Sequence, residues 1–268
     1  MRIFFVKNGK TRYDNRSRWQ EALEIALKQP DEPVIITTFR RGWSSAARPV
    51  LARGINKEEY VVKGRQAGRQ IVNDQVVARL GLAIGAPVGQ PEIVEISSEL
   101  IEEDPSFSYL IPGTAHATIY IPNCSDDREP VQYAKQAENR ERFALLCVLY
   151  GWVHAGDHQF IYQKQRPNLV HSIDHGHFFP GGPNWTEDDL VQAPRAELDQ
   201  LLLRTCNFKV NSDEIQEALR RLEAVKEETI IPAVAAPPTE WGLTIDDRVT
   251  LVEYLIRRQQ ELLELLEI

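Results

Sequence analysis

The chain has 268 residues, long enough for one large domain or for two lobes around a cleft, and its 43% hydrophobic content excludes general disorder. A net charge of -8 argues against a nonspecific nucleic-acid binder that works through bulk positive charge. Three scattered cysteines, Cys124, Cys147 and Cys206, with no CxxC pair and no membrane-length apolar run, point away from a disulfide framework, a zinc knuckle or a spanning helix. Met1 to Lys7 is too short for a signal-peptide core, so a soluble, cytoplasmic protein is expected.

Ile3 to Val6 reads as a short strand followed by a turn at Asn8-Gly9-Lys10. Ser17 is a candidate N-cap for a helix carrying Trp19, Ala22, Leu23, Ile25, Ala26 and Leu27 on one face, ended by Pro30 and Pro33. Val34 to Phe39 is β-branched and leads into the loop Arg40 to Pro49, where Gly42, Ser44 and Ser45 suit a backbone lying close to a polyphosphate. A single glycine is a weak signal for that, and a plain loop is the competing reading. Arg12, Arg16 and Arg18 form one local basic patch, and Arg40, Arg41, Arg48 and Arg53 form another.

Tyr60 to Lys63 is a strand ending on a lysine, and Ile71, Val72, Val76, Val77, Leu80, Leu82 and Ile84 mark the apolar side of the following helix, stopped by Gly85. Asp74 on that helix is placed to reach back to Lys63 and fix its ammonium for nucleotide phosphates; the alternative is a solvated strand-end lysine. Glu92 to Ile96 alternates as a half-buried strand. Ser106 to Ile111 reads as another, broken by Pro112-Gly113, which would close a five-stranded sheet and form a hinge. Backbone groups at Leu110, Ile111 and Gly113 are then candidates for reading an adenine edge.

Tyr120 to Glu129 is loop-like, and Val131 to Val153 turns helical, apolar all round from Phe143 to Tyr150, with Cys147 a packed small hydrophobe. This helix delivers the chain to Gly156-Asp157. Phe160 to Tyr162 and Leu169 to Ile173 then form a predicted hairpin that brings Asp157 and Asp174 together, each beside a glycine. Two carboxylates so placed suit orienting a hydroxyl and holding a divalent cation on a phosphate, against the plainer reading of solvated surface acids. Pro180 to Trp185 is turn-rich and suits one wall of a cleft. Thr186 and Asp189 resemble a capping box, helices are expected at 197–205, 212–226 and 246–267, and Pro232, Pro237 and Pro238 suggest an extended connector. The last helix is amphipathic and packs on the same lobe, with a homodimer contact as the second reading.

The order of these parts resembles the HipA-like branch of the protein kinase and phosphatidylinositol kinase superfamily. Tyr60-Val61-Val62-Lys63, Asn73 to Leu82 and Ala86-Pro87-Val88 are similar to that family's ATP-lysine strand and following helix, and the likeness extends over residues 34 to 180. It implies an α+β, two-lobed protein-kinase-like fold, with a small antiparallel-sheet lobe over residues 1–113 and a mainly helical lobe over 114–268. It also implies ATP and Mg²⁺ as cofactors and a protein Ser/Thr acceptor. Lys63 would bind phosphates, Asp74 would pair with it, Asp157 would orient the acceptor hydroxyl as catalytic base, and Asp174 would ligate Mg²⁺. The family's helix acid is usually Glu, one methylene longer than Asp74. Its catalytic loop usually carries an Asn after Asp-Arg-His, whereas here Asp157-His158-Gln159 runs straight into Phe160, leaving Gln159 as the nearby amide for a metal. A weak kinase, a changed metal arrangement and a nucleotide-binding protein without transfer all stay open.

Two other readings compete. His154, His158, His171, His175 and His177 crowd the same region and with the two aspartates suit a metal-dependent hydrolase, although His175 and His177 would face opposite ways on an extended segment. A noncatalytic module in which the basic loop and C-terminal helices hold a protein partner is the third. No direct nucleic-acid or membrane partner is expected.

Overall fold

A computed structural model describes residues 12–126 and 131–267. The strand and turn expected between Ile3 and Lys10 lie outside the described residues. Helix α1 (Arg12–Ala26) starts five residues before Ser17, so Ser17 is not its cap. It docks Trp19 and Leu23 towards the C-terminal helices, and Arg16 donates to Glu253 at 2.6 Å.

β1 (Val34–Gly42), β2 (Val50–Gly54) and β3 (Glu59–Lys63) form an antiparallel run, and α2 (Gln70–Ala83) and β4 (Pro91–Ile96) follow. After the short α3 (Ser98–Glu103), β5 (Gly113–Ile119) inserts between β3 and β4. An antiparallel sheet was expected, but the sheet is not antiparallel throughout. It closes into a barrel because β1, bulged twice, returns its first residues to β4 in parallel register, Val34 opposite Val94 and Ile35 opposite Glu95. Alternate residues point inward: Ile36, Phe39, Val50, Ala52, Tyr60, Val62, Val94, Ile96, Ala115 and Ala117 fill the interior, the alanines leaving room for Tyr60 and Phe39.

The strand expected at 106–111 is also corrected. Asp104 accepts from the Ser106 N–H at 3.1 Å and opens a tight turn, Phe107 packs on Phe39 with ring centroids 4.7 Å apart, and Leu110 is buried with it as a barrel plug. The strand begins after Pro112-Gly113, where Gly113 takes φ 114°, a backbone region suited to glycine.

The second core belongs to the helices. α2 was expected to bury one side, yet residues 71–78 are all buried, because the barrel covers one face and the C-terminal helices the other. β6 (Cys124–Ser125) lies within the stretch read as loop. α4 (Ala137–Val153) starts six residues later than expected, since the Gln132 N–H is held by the Tyr162 hydroxyl at 2.8 Å. From Phe143 onward α4 is buried on all sides, Cys147 included, and burial pushes that thiol well up from its usual range. β7 (Gln159–Gln163) and β8 (Val170–Ile173) form the expected hairpin, with β6 as a third strand.

α5 (Glu187–Gln192) carries the Thr186–Asp189 capping box, and α6 (Gln200–Thr205) and α7 (Asp213–Ala224) fall within the expected spans. The proline connector is partly a helix, α8 (Glu227–Ala235), with Pro232 inside it. Burial of Ile230, Ile231, Ala233 and Val234 outweighs the hydrogen bond that Pro232 forgoes. α9 (Ile245–Leu263) then reaches the open carbonyl ends of four other helices. Arg248 donates at 2.7 Å to Val234 in the last turn of α8 and to Pro237 just beyond it, and Arg257 to Leu190 and Val191 in the last turn of α5. Arg258 donates to Gly151 and Trp152 at the end of α4, and Gln259 to Leu222 in the last turn of α7 and Val225 just beyond it. All four donors satisfy orphan acceptors, and the three arginines also oppose the helix dipoles. Among the described residues no helix is long and apolar enough to cross a membrane.

Replacing Arg248 by Met keeps the bulk but strands buried carbonyls at the end of α8. We expect chemical denaturation to show a loss of about 3 kcal/mol of unfolding free energy.

Candidate functional site

β3 ends on Lys63 just as the chain turns into α2, and the barrel holds that helix close enough for the short Asp74 side chain to suffice. Lys63 Nζ lies 2.9 Å from Asp74 Oδ2 and 2.6 Å from Asp174 Oδ1, and the lysine is only 6% exposed. Burial alone would lower the ammonium's pKa, but the charges of Asp74 and Asp174 outweigh it and hold the group above its ordinary value. Burial likewise works to raise Asp74, and the Lys63 charge outweighs it and holds the carboxyl below the usual carboxylate range. The other Asp74 oxygen, Oδ1, accepts the His175 backbone N–H at 2.7 Å. One carboxylate therefore joins strand β3, helix α2 and the segment after β8.

His116 and His175 flank this group, and burial, assisted by the Lys63 charge, pushes each imidazole down to about 4. Both are neutral at pH 7. His116 Nδ1 sits 2.7 Å from the Gln75 amide, and His175 Nε2 sits 2.8 Å from Ser172 Oγ, which in turn meets the Tyr150 hydroxyl at 2.6 Å.

Helix α4 ends with His154 at φ 63°, and its carbonyl accepts the Phe179 N–H at 3.0 Å. Gly156 is required by close approach, since a Cβ there would lie 2.1 Å from the His177 carbonyl oxygen. Asp157 follows. Its Oδ1 accepts the His158 N–H at 2.7 Å and its Oδ2 the Gln159 amide at 2.8 Å, while His158 Nε2 contacts Asp199 Oδ2 at 2.8 Å. Gln159 stands opposite Ile173 in the hairpin, so Asp157 and Asp174 emerge at the same end, as the sequence suggested. The Gln159 nitrogen faces Asp157, so its carbonyl oxygen is turned away from that carboxylate.

Ser44 and Ser45 are exposed in the β1–β2 loop, whose Ala47 carbonyl accepts from Gln66 Nε2 at 3.2 Å, three residues beyond Lys63. Leu110 and Ile111 precede β5, the first buried in the barrel plug and the second exposed; the stretch that leaves the barrel after β5 is Tyr120 to Pro122. Sequence reasoning missed Asn73. This fully buried amide donates to the carbonyls of Gly176 and Phe178 at 2.9 Å and of Gly182 at 3.2 Å, and accepts from Trp185 Nε1 at 3.0 Å. The available signal was three consecutive polar residues, Asn73-Asp74-Gln75, inside an otherwise apolar helix. The crowded histidines disperse: His171 sits between Arg142 and Gln163, and His158 and His175 have the partners given above. Among the described residues no three His, Cys, Asp or Glu side chains converge as a metal cluster.

A family model described as HipA-like kinase matches residues 35–182. No curated protein matches the sequence significantly. Among solved structures, the proinflammatory kinase CtkA of Helicobacter pylori is similar with a TM-score of 0.58 at 10% identity, over 88% of this chain and 96% of that one. The Golgi casein kinase is similar with a TM-score of 0.50 at 13% identity, over 95% of this chain and 81% of that one. At such identities the likeness shows the fold.

Two outcomes are expected. Asn73→Ala should cost about 3 kcal/mol in urea unfolding and speed amide hydrogen exchange selectively between residues 174 and 185. Because His116 and His175 have folded pKa values below the ordinary 6.5, the unfolded chain binds protons first. Stability should be full above pH 6.5 and fall towards pH 4, by up to about 1.4 kcal/mol per pH unit for each histidine. Denaturant midpoints that stay flat over that window would contradict both burials.

Proposed function

The chain belongs to the HipA-like kinase family, and we propose that it transfers the terminal phosphoryl group of ATP, with Mg²⁺, to a hydroxyl of a protein serine or threonine. One observation carries this reading: a buried ammonium shared by two carboxylates, whose excess negative charge falls on the half-buried Asp174. The neutral His116 and His175 do not offset it. Asp174 Oδ1 is engaged by Lys63, Oδ2 has no partner among the described residues, and the left-handed backbone at φ 57° sets that carboxylate at the hairpin's end. Such a donor set fits a divalent cation and an anionic phosphate bound side by side.

Asp174 would hold the cation, joined by the Gln159 carbonyl oxygen once its amide turns towards the metal. Bound Mg·ATP supplies the transferable group and a counter-charge for it. Lys63, kept charged by Asp74, neutralises phosphate oxygens. Asp157 orients the acceptor hydroxyl and takes its proton at Oδ2, the oxygen that Gln159 now occupies. Ser44 and Ser45 bring the β1–β2 loop against the phosphates. For adenine, the row Leu51, Val61 and Thr118 across three barrel strands, with Ile161 and Ile173 on the hairpin, offers half-buried apolar surface. Tyr120 to Pro122 replaces Leu110 and Ile111 as the backbone that would meet the adenine edge. A second reading, nucleotide binding without transfer, draws on the fact that both Asp157 oxygens already accept hydrogen bonds.

Transfer from labelled ATP and calorimetric Mg·ATP binding, measured together, separate these readings. Asp157→Asn should reduce turnover at least about 100-fold with affinity unchanged, and equal activity would remove its assigned role. Asp174→Asn should instead weaken Mg·ATP binding at least about tenfold, and Lys63→Ala should abolish the thermal shift given by ATP with Mg²⁺. Tight binding with no turnover on any acceptor would favour the second reading.

A further inference from the structure

From Pro33 to Lys57 the sequence contains five cations and no Asp or Glu, in a chain whose 39 acids outnumber its 31 Lys and Arg. The structure concentrates three of them. Arg40, Arg41 and Arg48 are exposed where β1 and β2 meet, while Arg53 lies further down β2, opposite Glu59, and donates to the Lys57 carbonyl. Cations elsewhere are often paired, Arg16 with Glu253 and Arg140 with Glu214 for example. No carboxylate among the described residues comes within 4 Å of Arg40, Arg41 or Arg48, although the acidic helix α3 follows β4 at the same end of the barrel.

Two of the three rest on aromatic faces instead. The Arg41 guanidinium lies 4.5 Å from the Trp43 ring centre, and that of Arg48 lies 3.4 Å from Tyr109. Stacking restrains a long side chain without neutralising it, so its charge stays available to an anion. The rim is at the Lys63 end of the barrel. Gly42 pairs with Val50 and Val50 with Val62, and Gln66 holds the loop between β1 and β2 over the turn that leaves Lys63. Lys63 in turn meets Asp174, which emerges at the same end of the hairpin as Asp157.

We propose that Arg40, Arg41 and Arg48 form a docking rim for an acidic segment of the acceptor protein, with Glu or Asp near the serine or threonine to be modified. This rests on the phosphoryl-transfer reading above for the identity of the partner as an acceptor. The net charge of -8 repels long polyanions, so a short acidic peptide suits the rim better than nucleic acid does.

The test uses two fluorescent peptides with one serine each, flanked by glutamates or by glutamines. Anisotropy on the full chain carrying Asp157→Asn reads binding without turnover, and transfer on the unmodified chain reads KM. The acidic peptide should bind about tenfold more tightly at low salt, and that preference should shrink as salt rises. R40Q/R41Q/R48Q should erase it and raise KM for the acidic peptide about tenfold, with a clearly smaller change in KM for the neutral peptide. Equal binding of the two peptides, or a preference that survives the triple substitution, overturns the rim. So does an equal loss of ATP affinity, or tighter binding of a labelled single-stranded oligonucleotide. Transfer without acidic preference refutes the rim alone, whereas acidic preference without any transfer refutes the kinase reading and leaves the rim standing as a binding site.

Discussion

The arrangement depends on an ammonium that cannot be left alone. Taking Lys63 out of water would cost several kcal/mol if it stood unpaired, and only a pair of close carboxylates makes its burial tolerable. Those carboxylates come from helix α2 and from the turn after β8, two parts of the chain that are 100 residues apart. Their shared interest in one cation brings barrel, helix and hairpin to a common point. Asp74 then goes further, because its second oxygen holds the backbone of the segment that carries Asp174.

How far this was legible in the chain can be judged from particular residues. The Lys63–Asp74 pair and the emergence of Asp157 and Asp174 at one end of the hairpin follow from local pattern, since a strand end, a helix face and a hairpin register are all short-range properties. Closure of the barrel was not legible. It depends on two bulges in β1 and on where β4 returns, which is a matter of long-range pairing. The break at Pro112-Gly113 was seen but its sense was reversed, because Phe107 and Leu110 look like strand residues when their burial comes from plugging a barrel. α8 was hidden behind Pro232, where tertiary burial overrode local propensity. Asn73 escaped because a buried amide in a helix announces no partner until the segment it holds is in place.

Helix α9 explains how loops leading to the site can be short without wandering. Arg258 and Tyr254 grip the last turn of α4, and Trp152 donates back to the Leu255 carbonyl, so the stem from which Asp157 projects is fixed by the far end of the chain. His158 adds a tie to Asp199, whose other oxygen caps the start of α6. The candidate base therefore stands on a scaffold rather than on a free loop.

Asn73 and the all-round burial of α2 have one more consequence. In a helix covered on a single side, an outward swing would separate acid from lysine at little expense. Here the same pivot would pull a buried amide from three carbonyls and an indole while opening two cores at once. Moving α2 as a rigid body is therefore far more costly than moving a helix packed on one side, and the spacing between Lys63 and Asp74 is set by both cores together.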